Sequence, residues 1–120
     1  MPGRLTTHVL DTVHGRPAAG VAISIYRLDA ETGERERLNV VWTNADGRTD
    51  EPLLAGEALS AGVYELVFSL GDYFAALGRA NAPIPFLGEV PIRFGVADAD
   101  ANYHVPLLAS PWAYSTYRGS

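Results

Sequence analysis

The sequence GVYELVFSL, residues 62–70, decides the fold class of this 120-residue chain. Its large apolar side chains stand at every second position, so Tyr64, Leu66 and Phe68 share one face, and Glu65 belongs to the other. A period of two residues is that of a β-strand, in which successive side chains point to opposite sides. The stretch therefore predicts a strand with one strongly apolar face.

The same alternation recurs on both sides of this strand. It predicts further strands at 5–11, 21–26, 37–43 and 103–108. Turns rich in glycine, asparagine and aspartate separate them. The polar segment 49–61 holds at most a short edge strand. After Ser110 and Pro111, a last β-patterned run continues to the carboxyl terminus.

The stretch that follows residue 70 interrupts the strand pattern. We expect a short helix that is capped by Asp72 and runs through Arg79. Gly78, Pro83 and Pro85 prevent a longer helix. Residues 86–94 predict a strand in an edge or bulged position, because Pro91 cannot donate a ladder hydrogen bond. One short helix thus stands between two strands.

These elements predict an antiparallel β-sandwich with one short helix, since many short strands with close turns bury two sheets against each other. We expect one domain, 1–120, which is long enough to bury roughly two-thirds of its unfolded surface. The interior of so small a sandwich is filled by its own side chains. A small-molecule site would therefore lie on an outer sheet face or at a subunit contact.

The composition argues against several classes of function. Nine arginines oppose fourteen acidic residues, and the net charge of −5 repels phosphate backbones, so we expect no nucleic-acid partner. There is no cysteine, and three scattered histidines predict no metal site. The chain shows no signal-peptide pattern and no apolar stretch of membrane-spanning length, so we expect no membrane contact and a cytoplasmic location.

Polar residues at three places are candidates for chemistry. His8 and His104 each alternate away from the apolar face of their predicted strand. Arg48 directly follows Gly47 of a predicted turn. The last four residues, 117–120, bring a phenol, a guanidinium, a hydroxyl and the terminal carboxylate together.

Four stretches carry a resemblance to a known family. They are HVLDTVHGRPAAGVAI (8–23), TNADGRTD (43–50), EVPIRF (89–94) and YHVPLLASPWAYSTYRGS (103–120). Together they resemble the hydroxyisourate-hydrolase branch of the transthyretin family. The YRGS ending is the most specific element, because hormone-carrying transthyretins lack it. Ala109, Ala113 and the Leu87-Gly88 pair depart from the commonest pattern, but these are packing or turn positions.

The resemblance implies a transthyretin-like Greek-key sandwich of eight strands, assembled as a homotetramer with active sites where dimers face each other. The implied reaction is hydrolysis of 5-hydroxyisourate, a purine-derived small molecule, to 2-oxo-4-hydroxy-4-carboxy-5-ureidoimidazoline in urate degradation, without a cofactor or metal. The implied site residues are His8, Arg48, His104, Tyr117, Arg118, Gly119 and Ser120.

The chemistry of these residues suggests their roles. A histidine titrates near neutral pH, so either His104 or His8 would activate water. Arg48 keeps its proton and would stabilise the developing negative charge. Ser120 is the fourth catalytic residue, with a positioning role. The substrate-binding residues are His8, Arg48, Tyr117, Arg118 and Gly119.

Two alternatives belong to other classes of function. A transthyretin-like carrier would bind an apolar small ligand without catalysis, and its channel should be lined by aliphatic side chains rather than by histidine and arginine. A structural or adhesive sandwich would bind no ligand, and the ends of its chain should not matter. Exposure to freshly generated 5-hydroxyisourate separates all three.

Overall fold

The computed structural model describes residues 2–78 and 83–120. Its strands are β1 (Arg4–Asp11), β2 (Arg16–Pro17), β3 (Ala22–Leu28), β4 (Arg35–Trp42), β5 (Leu54–Ala55), β6 (Gly62–Ser69), β7 (Glu89–Val96), β8 (Tyr103–Ala109) and β9 (Tyr114–Thr116). A 3-10 turn, Gly56–Ala58, follows β5, and the helix α1 (Leu70–Ala76) follows β6. Within the described ranges, no helix has the length and hydrophobicity needed to cross a bilayer.

The strands form the two sheets of a β-sandwich. One sheet has the order β2-β1-β8-β9, with β5 also paired to β1, and the other has the order β4-β3-β6-β7. The predicted antiparallel sandwich is confirmed, and it contains one parallel ladder, between β1 and β8. A parallel pair needs a long crossover between its strands. Here the chain that forms the whole second sheet supplies that crossover.

The core lies between the sheets, and the predicted apolar face of residues 62–70 is part of it. Tyr64, Leu66 and Phe68 on β6 are completely buried, and so are Leu5 and Leu107 on the facing sheet. Complete burial of an apolar side chain of this size contributes about 1.5–3 kcal/mol relative to exposure. This shared core holds the outer face of the five-stranded sheet in a fixed geometry.

Glu65, on the opposite face of β6, is buried as a charged residue. Its carboxylate accepts hydrogen bonds from Arg35 Nη1 at 2.8 Å and from Arg93 Nε at 3.1 Å. Two guanidinium groups therefore compensate one buried carboxylate, which would otherwise destabilise the fold.

The helix differs in position from the prediction. It begins at Leu70 rather than after an Asp72 cap, and Ser69 occupies the N-cap position without a side-chain hydrogen bond. Asp72 lies instead in the first turn, where the positive end of the helix dipole favours a carboxylate. The helix ends at Ala76, and the predicted end, Arg79, lies outside the described residues. Burial of Leu70 explains the early start, because it draws the chain directly from strand into helix.

The predictions for the weaker strands had mixed outcomes. The short edge strand expected within 49–61 is β5, which pairs with β1. The strand expected at 86–94 in an edge or bulged position is β7, which begins at Glu89 and accommodates Pro91 at the edge of its sheet. The two-residue strand β2 was missed, because its Arg16-Pro17 sequence has the composition of a turn.

Candidate active site

His8 and His104 lie on the outer face of the five-stranded sheet. They occupy the adjacent strands β1 and β8, where His8 pairs with Pro106, two positions beyond His104. Leu5 and Val9, which alternate with His8, are completely buried in the core. The predicted direction of His8 away from the apolar face is therefore confirmed, and the two imidazoles lie on the same surface.

The imidazole of His104 is held by neighbours on two sides. Its Nδ1 lies 2.9 Å from the hydroxyl oxygen of Thr6, the residue aligned with it on β1. On the other side, the N–H of Gly119 donates to the main-chain oxygen of His104 at 2.8 Å. A side chain at position 119 would meet the ring, since an added Cβ would lie 2.6 Å from His104 Cδ2. The carboxyl-terminal tail thus closes directly against the imidazole.

Arg48 reaches this face because the loop after β4 returns to β1. The carbonyl oxygen of Gly47 accepts a hydrogen bond from Val9 N at 2.8 Å. Gly47 has a φ of 73°, and a Cβ at this position would collide with the carbonyl oxygen of Val9, so glycine is needed there. The side-chain oxygen of Asn44 accepts from the N–H groups of Asp46 at 2.9 Å and Arg48 at 3.2 Å. Sequence reasoning placed Asn44 in the turn before Arg48 but did not predict these contacts of its side chain, for which an Asx turn was the available signal.

The electrostatic setting favours the neutral form of both histidines. Burial first, and then the positive charge of Arg48, lower the pKa of His104 below its usual 6.5, and His8 lowers it further. Burial and Arg48 likewise lower the pKa of His8, although a hydrogen bond to the main chain of Asp46 and the carboxylate of that residue oppose the change. Each neutral ring retains one nitrogen lone pair that can accept a proton.

A cavity of about 490 Å³ opens between the loop after β4 and the carboxyl-terminal tail. Its lining combines two guanidinium groups, two acidic side chains, one imidazole, several hydroxyls and the terminal residue, and it includes Arg4, Thr6, Arg48, Asp50, Glu51, His104 and Ser120. Such a surface suits a small, polar, oxygen-rich molecule. Among residues 2–78 and 83–120, no group of three or more His, Asp or Glu side chains could hold a metal ion.

The structure brings together only part of the predicted site. His8 lies close enough to Arg48 and His104 to interact electrostatically with both, but it is not among the residues that line the cavity. Tyr117 and Arg118 line a separate groove between β7 and β9. The Arg118 guanidinium stacks 4.2 Å from the centre of the Tyr103 ring. The substrate-binding role of Tyr117 and Arg118 stays a prediction.

The model of the HIUase/transthyretin family matches residues 5–119. The chain belongs to this family. It is 57% identical over 118 residues to "5-hydroxyisourate hydrolase 2" from Rhizobium meliloti (strain 1021), which covers 98% of this chain and 97% of that protein. The predicted family resemblance is therefore confirmed over almost the full length of the sequence.

Solved structures agree with the family membership. A crystal structure of (S)-allantoin synthase superposes with a TM-score of 0.92 and 45% identity, covering 99% of this chain and 44% of that chain. Transthyretin from Sparus aurata superposes with a TM-score of 0.86 and 27% identity, covering 97% of this chain and 96% of that one. The chain thus spans less than half of the synthase chain and nearly all of a transthyretin.

This HIUase/transthyretin family member also contains a buried polar cluster that sequence reasoning missed. Asp11, 1% exposed at the end of β1, accepts hydrogen bonds from the N–H groups of Val13 and His14 and, at 2.8 Å, from Tyr73 Oη. His14 Nδ1 lies 2.6 Å from the same carboxylate.

Burial raises the pKa of Asp11, but these hydrogen bonds outweigh it and lower the pKa overall. Burial and Asp11 raise the pKa of Tyr73 to about 12. The available sequence signal was the position of Asp11, two residues after Val9 on the face of β1 that points into the core.

Proposed function

We propose that this chain hydrolyses 5-hydroxyisourate to 2-oxo-4-hydroxy-4-carboxy-5-ureidoimidazoline, a step of urate degradation. The observation that carries the proposal is the polar cavity lined by Arg48 and His104, with His8 near enough to interact electrostatically with both. The proposal is supported by 57% identity, over 98% of the chain, to a protein named 5-hydroxyisourate hydrolase 2. The substrate is a purine derivative rich in oxygen and nitrogen, which matches the polar cavity.

Ring opening of a cyclic amide needs a base, a stabiliser of negative charge and an acid. A neutral imidazole, that of His104 or His8, takes a proton from water while the water oxygen bonds to the amide carbon. Arg48 stabilises the negative charge that develops on the carbonyl oxygen. The ring C–N bond then breaks, and the imidazolium returns its proton to the leaving nitrogen. The attacked carbon becomes the carboxyl group of the product, which releases its proton to solvent and is left as a carboxylate.

The carboxyl-terminal tail contributes the remaining groups of the proposed site. Ser120 lines the cavity and is proposed to position the substrate or the attacking water. Gly119 supports this role, because its close packing on His104 places Ser120 beside the imidazole. For Tyr117 and Arg118, which line the other groove, the proposed substrate contact rests on the family resemblance.

The proposed assembly is a homotetramer with active sites where dimers face each other. Three features of the chain support it. The cavity lies open on an outer sheet face, and the large aromatic side chains of Trp112, Tyr114 and Tyr117 are exposed on the carboxyl-terminal segment. Strands β7 and β9 also form sheet edges that border one groove, which offers a surface for edge-to-edge pairing. Sedimentation that finds an active monomer would contradict this assembly.

The proposed function is tested by mixing the protein with freshly generated 5-hydroxyisourate and following its disappearance against the spontaneous rate. We expect clear acceleration by the wild-type protein. The variants His8→Ala, His104→Ala and Arg48→Ala should each lose on the order of 10²-fold or more in kcat/KM, as expected for a lost acid-base or electrostatic group. Their circular dichroism should remain that of the folded protein, since all three side chains lie outside the core.

Arg37→Ala is the matched control for Arg48→Ala, because Arg37 is an exposed arginine on β4. It should retain wild-type activity. A wild-type protein that leaves the spontaneous rate unchanged would refute the proposed function. Saturable binding of an apolar ligand without turnover would then favour the carrier alternative.

A further inference from the structure

Thr6 is the residue of β1 that lies directly beside His104 of β8. The parallel register aligns the two residues, so their side chains project from the same outer face. Thr6 Oγ1 lies 2.9 Å from His104 Nδ1, which is a normal hydrogen-bond distance. Both residues are half-buried at the cavity wall. The contact joins positions that are 98 residues apart in the chain.

Among the described residues, the neighbours of the imidazole engage one of its two nitrogens. Thr6 occupies the Nδ1 position, and Gly119 packs against the edge that carries Cδ2 and Cγ. Among residues 2–78 and 83–120, Thr6 is the hydrogen-bond partner of the His104 ring, and Nε2 stays available. A neutral imidazole carries one proton. A hydroxyl that accepts at Nδ1 leaves the lone pair on Nε2, whereas a hydroxyl that donates there leaves the proton on Nε2.

We propose that Thr6 is a positioning residue for the reaction: its hydroxyl oxygen accepts the Nδ1–H of His104 and so holds the ring in the tautomer whose Nε2 lone pair faces the cavity. The inference rests on the proposed function, because it supplies the base that hydrolysis requires. Thr6 itself need not touch the substrate. Its effect passes through the imidazole, as hydrogen-bond partners of histidine ligands act in metal sites.

The test compares two substitutions at position 6 that differ in the hydroxyl. Thr6→Val removes the hydroxyl and keeps the shape, whereas Thr6→Ser keeps the hydroxyl. We expect Thr6→Val to lower kcat by about tenfold or more, with KM changed much less, and Thr6→Ser to stay within about threefold of wild type. Thr12→Val is the matched control, because Thr12 donates its hydroxyl hydrogen to Ala109 outside the cavity.

Nitrogen NMR of ring-labelled histidine gives a readout that does not depend on turnover. At a pH above the pKa of His104, the wild-type and Thr6→Ser proteins should carry the His104 proton on Nδ1. Thr6→Val should shift it toward Nε2, and Thr12→Val should not. A wild-type His104 protonated on Nε2 overturns the proposal, even if Thr6→Val fails to fold.

The pH dependence of kcat/KM adds a second discriminating measurement. An N–H group donates more strongly from imidazolium than from neutral imidazole, so loss of the Thr6 acceptor should move the acid limb to lower pH. The charged and titratable groups around His104 are Arg4, His8, Arg48, Asp50, Glu51 and the terminal carboxylate of Ser120. Substitution at position 6 alters none of these groups chemically.

The outcomes separate this inference from the proposed function. A wild-type protein that is inert toward 5-hydroxyisourate refutes the function, and the tautomer measurement then decides whether Thr6 controls His104. An active protein in which Thr6→Val matches wild type in kcat, acid limb and tautomer refutes the role of Thr6 and leaves the function intact.

Discussion

Replacing Gly119 with alanine tests whether the tail holds His104 in its working position. The new Cβ would lie 2.6 Å from His104 Cδ2 and 3.3 Å from Cγ. The backbone at Gly119 does not adopt a positive φ, so alanine introduces no backbone strain there. The substitution therefore acts through the contact with the imidazole alone.

The size of the expected effect follows from this distance. Carbon atoms pack at about 3.5–4.0 Å, so the added methyl is roughly 1 Å too close to the ring. Either the imidazole or the segment carrying Ser120 has to move by that amount. A misplacement of about 1 Å at a reacting group costs on the order of 10² in rate, equivalent to about 2.7 kcal/mol of activation free energy. We therefore expect Gly119→Ala to lower kcat/KM by about 10- to 100-fold.

The assay is kcat/KM toward freshly generated 5-hydroxyisourate, with thermal unfolding measured on the same samples. Position 119 lies outside the core, so the free energy of unfolding should change by less than about 1 kcal/mol. Gly88→Ala is the matched control: its φ is also not positive, and an added Cβ would have its nearest neighbour, Pro85 Cγ, at 4.0 Å. Activity of Gly119→Ala within twofold of wild type would refute the idea that the tail positions His104.

Three further predictions address the tail, the histidines and the buried cluster. Deletion of residues 117–120, or a carboxyl-terminal tag, should cost more than about tenfold in kcat/KM with little change in Tm, whereas an amino-terminal tag should be harmless. Because burial and Arg48 lower the pKa of His8 and His104, a pH–rate profile should show kcat/KM declining in acid with a midpoint below pH 6.5. Just below pH 6.5 the histidines bind more protons in the unfolded chain than in the folded one. The free energy of unfolding, measured in urea titrations, should therefore fall as the pH drops below 6.5. Asp11→Asn should lower the free energy of unfolding by about 2 kcal/mol in urea, because it weakens the buried bonds to His14 and Tyr73, while the exposed control Asp100→Asn stays within about 0.5 kcal/mol.

Much of the sandwich could be predicted from local pattern. The alternation in residues 62–70 identified the buried face of β6, and the same period placed His8 outside the core. The helix start was missed, because burial of Leu70 is a property of the packed sheets rather than of the nearby residues. The Asp11 cluster was missed for a related reason, since its partner Tyr73 lies 62 residues away in the chain.

The sequence by itself determined which side chains leave the core, since side-chain direction in a strand follows from the local backbone period. It also identified the family through its quoted segments. Only the tertiary structure decided which of these side chains meet. The parallel pairing of β1 with β8 places Thr6 beside His104. An isolated antiparallel β-bridge between His104 and Gly119 brings the carboxyl-terminal tail against the Cδ2 edge of the same ring. Neither contact has a local signature, because strand pairing is selected by the burial of the whole sandwich and not by the two segments that pair.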